Sequence, residues 1–319
     1  MTVSFAAIRD ACRQVAEQAS FVHIRSELLD AYARALPLRE VTPVYDSDHH
    51  FLGAPLATAA YILTLDAINF GSGYFPHLHK RPGLSGYFTV AVSLKDHFDR
   101  HGPIPARELA QLSPAACAAI FGQDLEHPLR AELMALFSEA LRALGAYLLH
   151  NFAGRFDALV IAAERSAARL ATLLSAMPFF QDVANYHGLR VPFYKRAQIT
   201  ASDLSLAFGG KGLGAFDDLD ELTIFADNLV PHVLHVDGLL DYAPALARRI
   251  GAGEPIPAGS PEEVELRAVA LHAVEQLVTR LRDSGHWVTA QQLDVFLWNR
   301  GQAPRYRVKP RHRSRTVFY

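Results

Sequence analysis

Apolar residues recur along most of this chain at intervals of three and four, the spacing that gathers side chains on one face of a helix. Phe5, Ile8, Cys12 and Val15 form one such face, and Val22, Ile24, Leu28, Leu29, Tyr32 and Leu36 form another. The period breaks over 37–53 (PLREVTPVYDSDHHFLG), where Pro, Asp and His collect, so that stretch reads as loop. A nearly unbroken apolar segment, LATAAYILTLDAINF, predicts a deeply buried helix from about Pro55 to Phe70, with Asp66 and Asn69 as polar exceptions in its last turn. The Gly- and Pro-rich stretch after it reads as loop with one short strand at Tyr87–Val92. Helices restart at Pro105 and at Ser113-Pro114, the latter an N-cap followed by proline at the first helical position. Two long helices are expected over 126–150 and 155–177, joined by Asn151–Gly154, and three more over 243–251, 261–283 and Thr289–Asn299. The 261–283 helix opens with Ser260 and Glu263, the spacing of a capping box.

The chain is organised around Pro192–Pro231. This stretch predicts an amphipathic helix, a glycine hairpin (Gly209, Gly210, Gly212, Gly214), and a second helix that stops near Pro231 and carries Asp227 among Ile224, Phe225, Leu229 and Val230. Neither an internal repeat nor a low-complexity linker interrupts the pattern. The fold class is therefore all-α: one mostly helical unit over 1–319, with two lobes, 1–185 and 186–319, around a cleft.

Composition narrows the class of function more than it narrows the fold. Half of the 319 residues are hydrophobic and the formal net charge is −2, which gives no whole-chain attraction to nucleic acid or acidic lipid. The two cysteines, Cys12 and Cys117, lie in Ala-rich helical settings, so a disulfide framework is not expected and a reducing compartment fits. The N-terminus lacks the apolar core of a secretory signal, and no apolar run approaches the roughly 18–20 residues of a membrane span. A soluble cytoplasmic protein is expected.

An acid in an apolar run is costly to bury unless it is paired or used, which singles out Asp227 and Asp294. From spacing alone, Asp227 is either a site carboxylate or a helix-terminal acid answering an Arg or His. Asp294, in QQLDVFLWNRGQ, either accepts two parallel N–H donors from a ligand edge or pairs with Arg300 or the tail. Asp66, Asn69 and the run Asp46-Ser47-Asp48-His49-His50 are further pocket candidates. His77 with His79, and His232 with His235 and Asp237, are the metal-like spacings; no third ligand completes a signature, and no metal is expected. GGKGLG at 209–214 lacks the spacer and ending of a phosphate loop, and Lys195, Arg196 and Lys211 are either phosphate partners or part of a solvated charged face. The tail RYRVKPRHRSRTVFY sets six Lys or Arg within residues 305–315. Alone it reads as an arm for RNA or DNA, but its Val-Phe-Tyr ending favours docking, with the cations either meeting a phosphate or pairing with the acids of the chain.

Several segments together resemble the queuosine salvage family. They are Asp66-Ala-Ile-Asn-Phe70, Phe193-Tyr-Lys-Arg-Ala-Gln-Ile199, Gly210-Lys-Gly-Leu-Gly214, Phe225-Ala-Asp-Asn-Leu-Val-Pro231, Leu293-Asp-Val-Phe-Leu-Trp298 and the basic tail closing on an aromatic pair. The resemblance implies a fold similar to helix-hairpin-helix DNA glycosylases and hydrolysis of queuosine 5′-monophosphate to queuine and ribose 5-phosphate, with no cofactor. It implies Asp227 beside the sugar, Lys195 as an active-site residue, Phe225 stacked on the base, Asp294 on the guanine-like edge and His50 approaching from the N-terminal loop. Asn69, Arg196, Val295 and Asn299 complete the substrate-binding candidates, although the family pattern has Tyr and Asp where Val295 and Asn299 stand. The expected partner is a small nucleotide, with no membrane and no stable nucleic-acid complex; oligomeric state is not legible. The competing readings are a DNA or RNA base glycosylase and a non-enzymatic RNA-binding helical adaptor.

Overall fold

A computed structural model describes residues 2–319. The chain is mostly helical, with two short antiparallel strand pairs. The Phe5–Gln18 helix buries Phe5, Ile8, Cys12 and Val15 against the Pro261–Asp283 helix, as its apolar face predicts. The second predicted face is only partly helical. Val22–Ile24 pairs with Leu240–Tyr242, Val22 opposite Tyr242, and helix resumes at Leu29–Ala35. The buried Glu265 carboxylate accepts the backbone N–H groups of Ser20, Phe21 and Val22 at 2.6–3.1 Å, which extends the chain there and overrides the helical spacing.

The Pro55–Ala67 helix is buried along nearly its whole length. It stops short of Phe70 because the carbonyls of Asp66 and Ala67 are taken by the Arg196 guanidinium, at 3.2 and 2.5 Å. The strand expected at Tyr87–Val92 is instead part of a Gly86–His101 helix: the Ser85 hydroxyl accepts the Phe88 N–H at 3.2 Å, and Val90, Leu94 and Phe98 continue a helical period. The long Pro128–Phe152 helix follows expectation, but 155–177 divides into Phe156–Ile161 and Ala167–Leu174. Between them Glu164 and Arg165 adopt left-handed backbone, and Asp218 accepts the N–H groups of Ala167 and Ala168 to start the second helix. Residues 178–190 lead into a hairpin, Val183–Tyr186 with Leu189–Pro192, turning at left-handed His187 and Gly188.

Ser260 caps the Pro261–Asp283 helix through the Glu263 N–H, while the Glu263 carboxylate reaches Gly259 rather than the cap residue. The reciprocal capping box sits instead on Thr289 and Gln292, opening Ala290–Arg300. One contiguous apolar cluster runs from Val3 to Tyr306. Among the described residues no helix is long and apolar enough to cross a membrane.

Candidate active site

The central stretch departs from expectation in a way that matters for Asp227. The Lys195–Ala207 helix ends in a turn where Gly209, Gly210 and Gly212 have positive φ, but no helix follows it directly. The next helix begins at Leu229 and runs to Val236, so Pro231 lies in its first turn, not at its end. Proline is tolerated there because the N–H it lacks would have no helical partner. Phe225, Ala226 and Asp227 are thus a non-helical segment leading into the helix. One oxygen of Asp227, Oδ1, accepts the N–H groups of Leu229 (2.7 Å) and Val230 (3.3 Å), the position where a helix accommodates a negative side chain.

A buried ion pair ties this segment to Lys195. Arg267 donates both terminal nitrogens to Asp182, at 3.0 and 2.6 Å, and its Nε to the Ala226 carbonyl at 2.9 Å, one residue before Asp227. Asp182 in turn accepts the N–H groups of Phe193 and Tyr194 on its carbonyl and that of Lys195 on its carboxylate. These bonds hold Tyr194 in left-handed backbone (φ 48°), an uncommon state for a bulky residue, and fix the angle at which the Lys195 helix starts. The guanidinium also lies over the rings of Phe193 (3.9 Å) and Tyr319 (4.6 Å).

These elements surround a cavity of about 630 Å³, within the size range of small-molecule sites. Asp227, Lys195, Phe225, Asp294, His50, Val295, Asn299 and Asn69 all line it. Arg196 does not. It points into the core, 1% exposed, and donates to the carbonyls of Asp66, Ala67, Phe179 and Val317, so its role is to tie helix end to tail. Three residues that the sequence reading passed over also face the cavity: Asp203, Tyr87 and Trp298. Asp203 was legible, since Lys195, Ile199 and Asp203 recur every four residues on one helix face.

The cavity has two unlike ends. Tyr45, His50, Tyr87, Phe88 and Trp298 make an aromatic end, where Tyr87 and Phe88 each meet the Trp298 ring edge-on at 5.6 Å. His50 Nδ1–H donates to the Asp46 carbonyl at 2.9 Å and Nε2 accepts the Tyr87 hydroxyl at 2.8 Å; burial lowers its pKa, in keeping with a neutral ring. At the other end the tail contributes Arg307, Lys309, Arg311 and Arg313, facing Lys80. The tail is docked: His312, Ser314 and Thr316 are buried, the Gly71 N–H donates to the Tyr319 carbonyl at 3.0 Å, and a Cβ on Gly73 would stand 2.3 Å from the Ser314 carbonyl oxygen.

Between the ends lie the acids and one lysine. Asp294 Oδ1 accepts the Phe225 N–H at 2.8 Å and pairs with neither Arg300 nor the tail; Arg300 goes to Asp237. Burial, and then the charge of Asp227, push the Asp294 pKa up to about 8, so its carboxyl is largely neutral at pH 7. Lys195 Nζ donates to the carbonyl and side-chain oxygen of Asn69 at 3.3 and 3.2 Å, and burial pulls its pKa down against the field of Asp227. The histidines with metal-like spacing diverge: His232 bonds the Tyr306 carbonyl and His235 the Leu240 carbonyl. Among the described residues no three His, Cys, Asp or Glu side chains are grouped to hold a metal ion.

An aromatic chamber with a capped carboxylate, a neutral carboxyl beside it and cations at one end defines a site for an anionic ligand carrying a flat ring. The comparisons narrow that class. The sequence profile described as "Queuosine salvage protein" matches residues 49–319. The queuosine 5′-phosphate N-glycosylase/hydrolase of Sphaerobacter thermophilus is 44% identical over 96% of each chain. The protein of that name from Dictyostelium discoideum is 35% identical, covering 82% of this chain and 78% of its own, and the one from Mus musculus is 31% identical, covering 84% and 83%. The chain belongs to the queuosine salvage protein family.

Proposed function

We propose that this chain hydrolyses the N-glycosidic bond of queuosine 5′-phosphate, releasing queuine and ribose 5-phosphate for queuine salvage. The observation that carries the reading is Asp227: one carboxylate oxygen is held by a helix N-terminus, and the side chain lines the cavity that also holds Phe225 and Asp294. The base lies against Phe225 with its guanine-like edge on Asp294, the anomeric carbon beside Asp227, and the phosphate toward the Arg and Lys strip of the tail.

In this reading the C1′–N bond breaks with its electron pair going to the base, and water oxygen bonds to C1′. Asp227 stabilises the cation-like sugar and takes one proton from the water; that proton ends on the ring nitrogen of queuine. A 7-deazaguanine has no N7 to protonate, so departure depends on hydrogen bonds at its other atoms. Asp294 suits that need because a carboxyl held neutral donates as well as accepts, and here Oδ1 is already occupied by the Phe225 N–H. Lys195 balances the charge of Asp227 and orients Asn69. His50 lies at the aromatic end, while Val295 and Asn299 form the wall contributed by the Asp294 helix.

We further read residues 1–319 as one catalytic domain similar to helix-hairpin-helix DNA glycosylases, working in the cytoplasm on a free nucleotide without a stable nucleic-acid complex. Cavity residues come from both halves, His50, Asn69 and Tyr87 facing Lys195, Asp227 and Asp294, which favours two lobes around a cleft. The Phe5–Ala35 segment packs with the C-terminal half and belongs to that lobe. Both cysteines are buried and free, in keeping with a reducing compartment. The test is direct: purified protein is incubated with queuosine 5′-phosphate and free queuine is followed by mass spectrometry. Absence of queuine refutes the proposal.

A further inference from the structure

Four acids line the cavity; Asp46 holds His49 at the aromatic end, and the protein treats the other three unequally. Asp227 accepts two backbone N–H groups and Asp294 accepts one. Asp203, on the same helix face as Lys195 and Ile199, has neither a hydrogen bond nor an ion pair with any other group among the described residues, although it lines the cavity. The donors around it are committed elsewhere. The Tyr45 hydroxyl donates to the Phe51 carbonyl at 2.8 Å, the Tyr87 hydroxyl to His50, and Lys195 Nζ to Asn69.

Its place in the cavity is also distinct. Asp203 feels Lys195 and Asp294 in the middle of the cavity, and its charge acts on Tyr45 and Tyr87 at the aromatic end and on Tyr61 in the core behind it, whereas Arg311 in the tail feels Asp227 and its neighbours Arg307 and Arg313. A nucleotide lying with its phosphate on the tail and its sugar at Asp227 therefore extends the far side of its base toward Asp203. We propose that Asp203 is the counter-ion for a cationic substituent on that far side, and so a specificity residue for the amine-bearing base. The inference rests on the glycosylase reading above. Queuine carries such a group, a secondary amine linked through a methylene to carbon 7, and a dialkylamine is protonated at neutral pH. An acid that lines the cavity without a protein partner is costly to ionise there, and an arriving ammonium offsets that cost. Burial, reinforced by the charge of Asp66, raises the Asp203 pKa well above the carboxylate range, so the free site holds a proton that a bound cation displaces.

The test compares queuosine 5′-phosphate with 7-deazaguanosine 5′-phosphate, which lacks the substituent, on wild type and Asp203→Asn. Because Asp203 has no protein partner to lose, the variant is expected to melt at or above the wild-type temperature. Its KM for queuosine 5′-phosphate is expected to rise about 10- to 100-fold with kcat little changed, the range of a hydrogen-bonded charged contact, while the unsubstituted nucleotide is unaffected. Equal loss on both nucleotides, or no loss on either, overturns the assignment. A second measurement needs no variant. Calorimetry in two buffers of different ionisation enthalpy at pH 7 should show queuine binding to wild type releasing about one proton more than 7-deazaguanine binding does. No difference between the two bases refutes the counter-ion. A wild type that binds the bases with this difference but cleaves neither nucleotide leaves Asp203 standing and removes the glycosylase reading.

Discussion

Replacing Asp227 with Asn separates its two jobs. The amide keeps an oxygen for the Leu229 and Val230 N–H groups, now 2.7 and 3.3 Å from the carboxylate, so the helix stays capped and the melting temperature should move little. Asp227→Ala removes the cap, which costs about 1 kcal/mol, or about 1–2 °C in a chain of this size. Catalysis should fall in both. A preorganised charged group facing a developing charge is worth about 3–4 kcal/mol or more, so single-turnover queuine release should drop at least 100- to 1000-fold while substrate affinity holds. The same substitution has a consequence at its neighbour. Burial is the larger cause of the raised Asp294 pKa, but the charge of Asp227 adds to it, so in the Asn variant the Asp294 midpoint should move below 8 and stay above the ordinary carboxylate range. Queuine affinity measured against pH reads this directly. An Asn variant within tenfold of wild-type turnover, or one whose rate loss is wholly a loss of affinity, refutes the role assigned to Asp227.

Three further outcomes follow from the same contacts. If neutral Asp294 assists the leaving base, kcat/KM should decline above about pH 8, and Asp294→Asn, slower throughout, should lack that decline in its pH–rate profile. The sign for stability agrees: the folded carboxyl binds its proton more tightly than the unfolded one, so Asp294 destabilises the fold increasingly from about pH 4 to 8, and the melting temperature of the Asn variant should gain on wild type across that window. Arg267→Met leaves Asp182 buried without its fork and should cost about 3–5 kcal/mol in urea melts, whereas Arg267→Lys, which cannot reach both Asp182 and Ala226, should lower kcat with KM nearly intact; a Lys variant with wild-type kcat removes Arg267 as a positioning residue. Deleting 311–319 takes away the Val317 carbonyl that Arg196 uses and the His312 carbonyl that Asn228 uses, so both melting temperature and turnover should fall; an adaptor whose tail is only an arm would keep its full melting temperature.

What could be read from residues alone followed from energetic oddity. Asp227 and Asp294 stand out because an acid among apolar neighbours demands a reason, and the tail's Val-Phe-Tyr ending demanded a place to dock, which Gly71 and Gly73 provide. What misled was local ambiguity. Pro231 marks a helix boundary, but proline is compatible with either end, and only the Asp227 cap shows that it is the start. Tyr87–Val92 reads as a strand because aromatic and β-branched residues cluster there, yet one Ser85 hydroxyl decides for helix. Lys195 and Arg196 read as a pair of cations, but successive helical residues point about 100° apart, so one reaches the cavity and the other the core. Arg267 was invisible: in PEEVELRAV it looks like one more charge on a solvated face, and burial alone reveals its work.

The arrangement also explains how Asp203, Asp227, Asp294 and Lys195 coexist in one partly closed space. Four groups ionised together without compensation would be prohibitively costly, and the fold avoids this by giving each a different environment. Backbone N–H groups are supplied to Asp227, where the proposed chemistry needs negative charge. Asp294 is given burial and a charged neighbour, which keep its proton in place for donation, and Lys195 is given the oxygens of Asn69. Asp203 is given nothing, and that omission is informative. Beside Asp227, Asp294 and Lys195, each of which has a hydrogen-bond partner, the unpartnered acid marks, under the proposed glycosylase reading, where the ligand brings one, on the side of the base away from the bond that breaks.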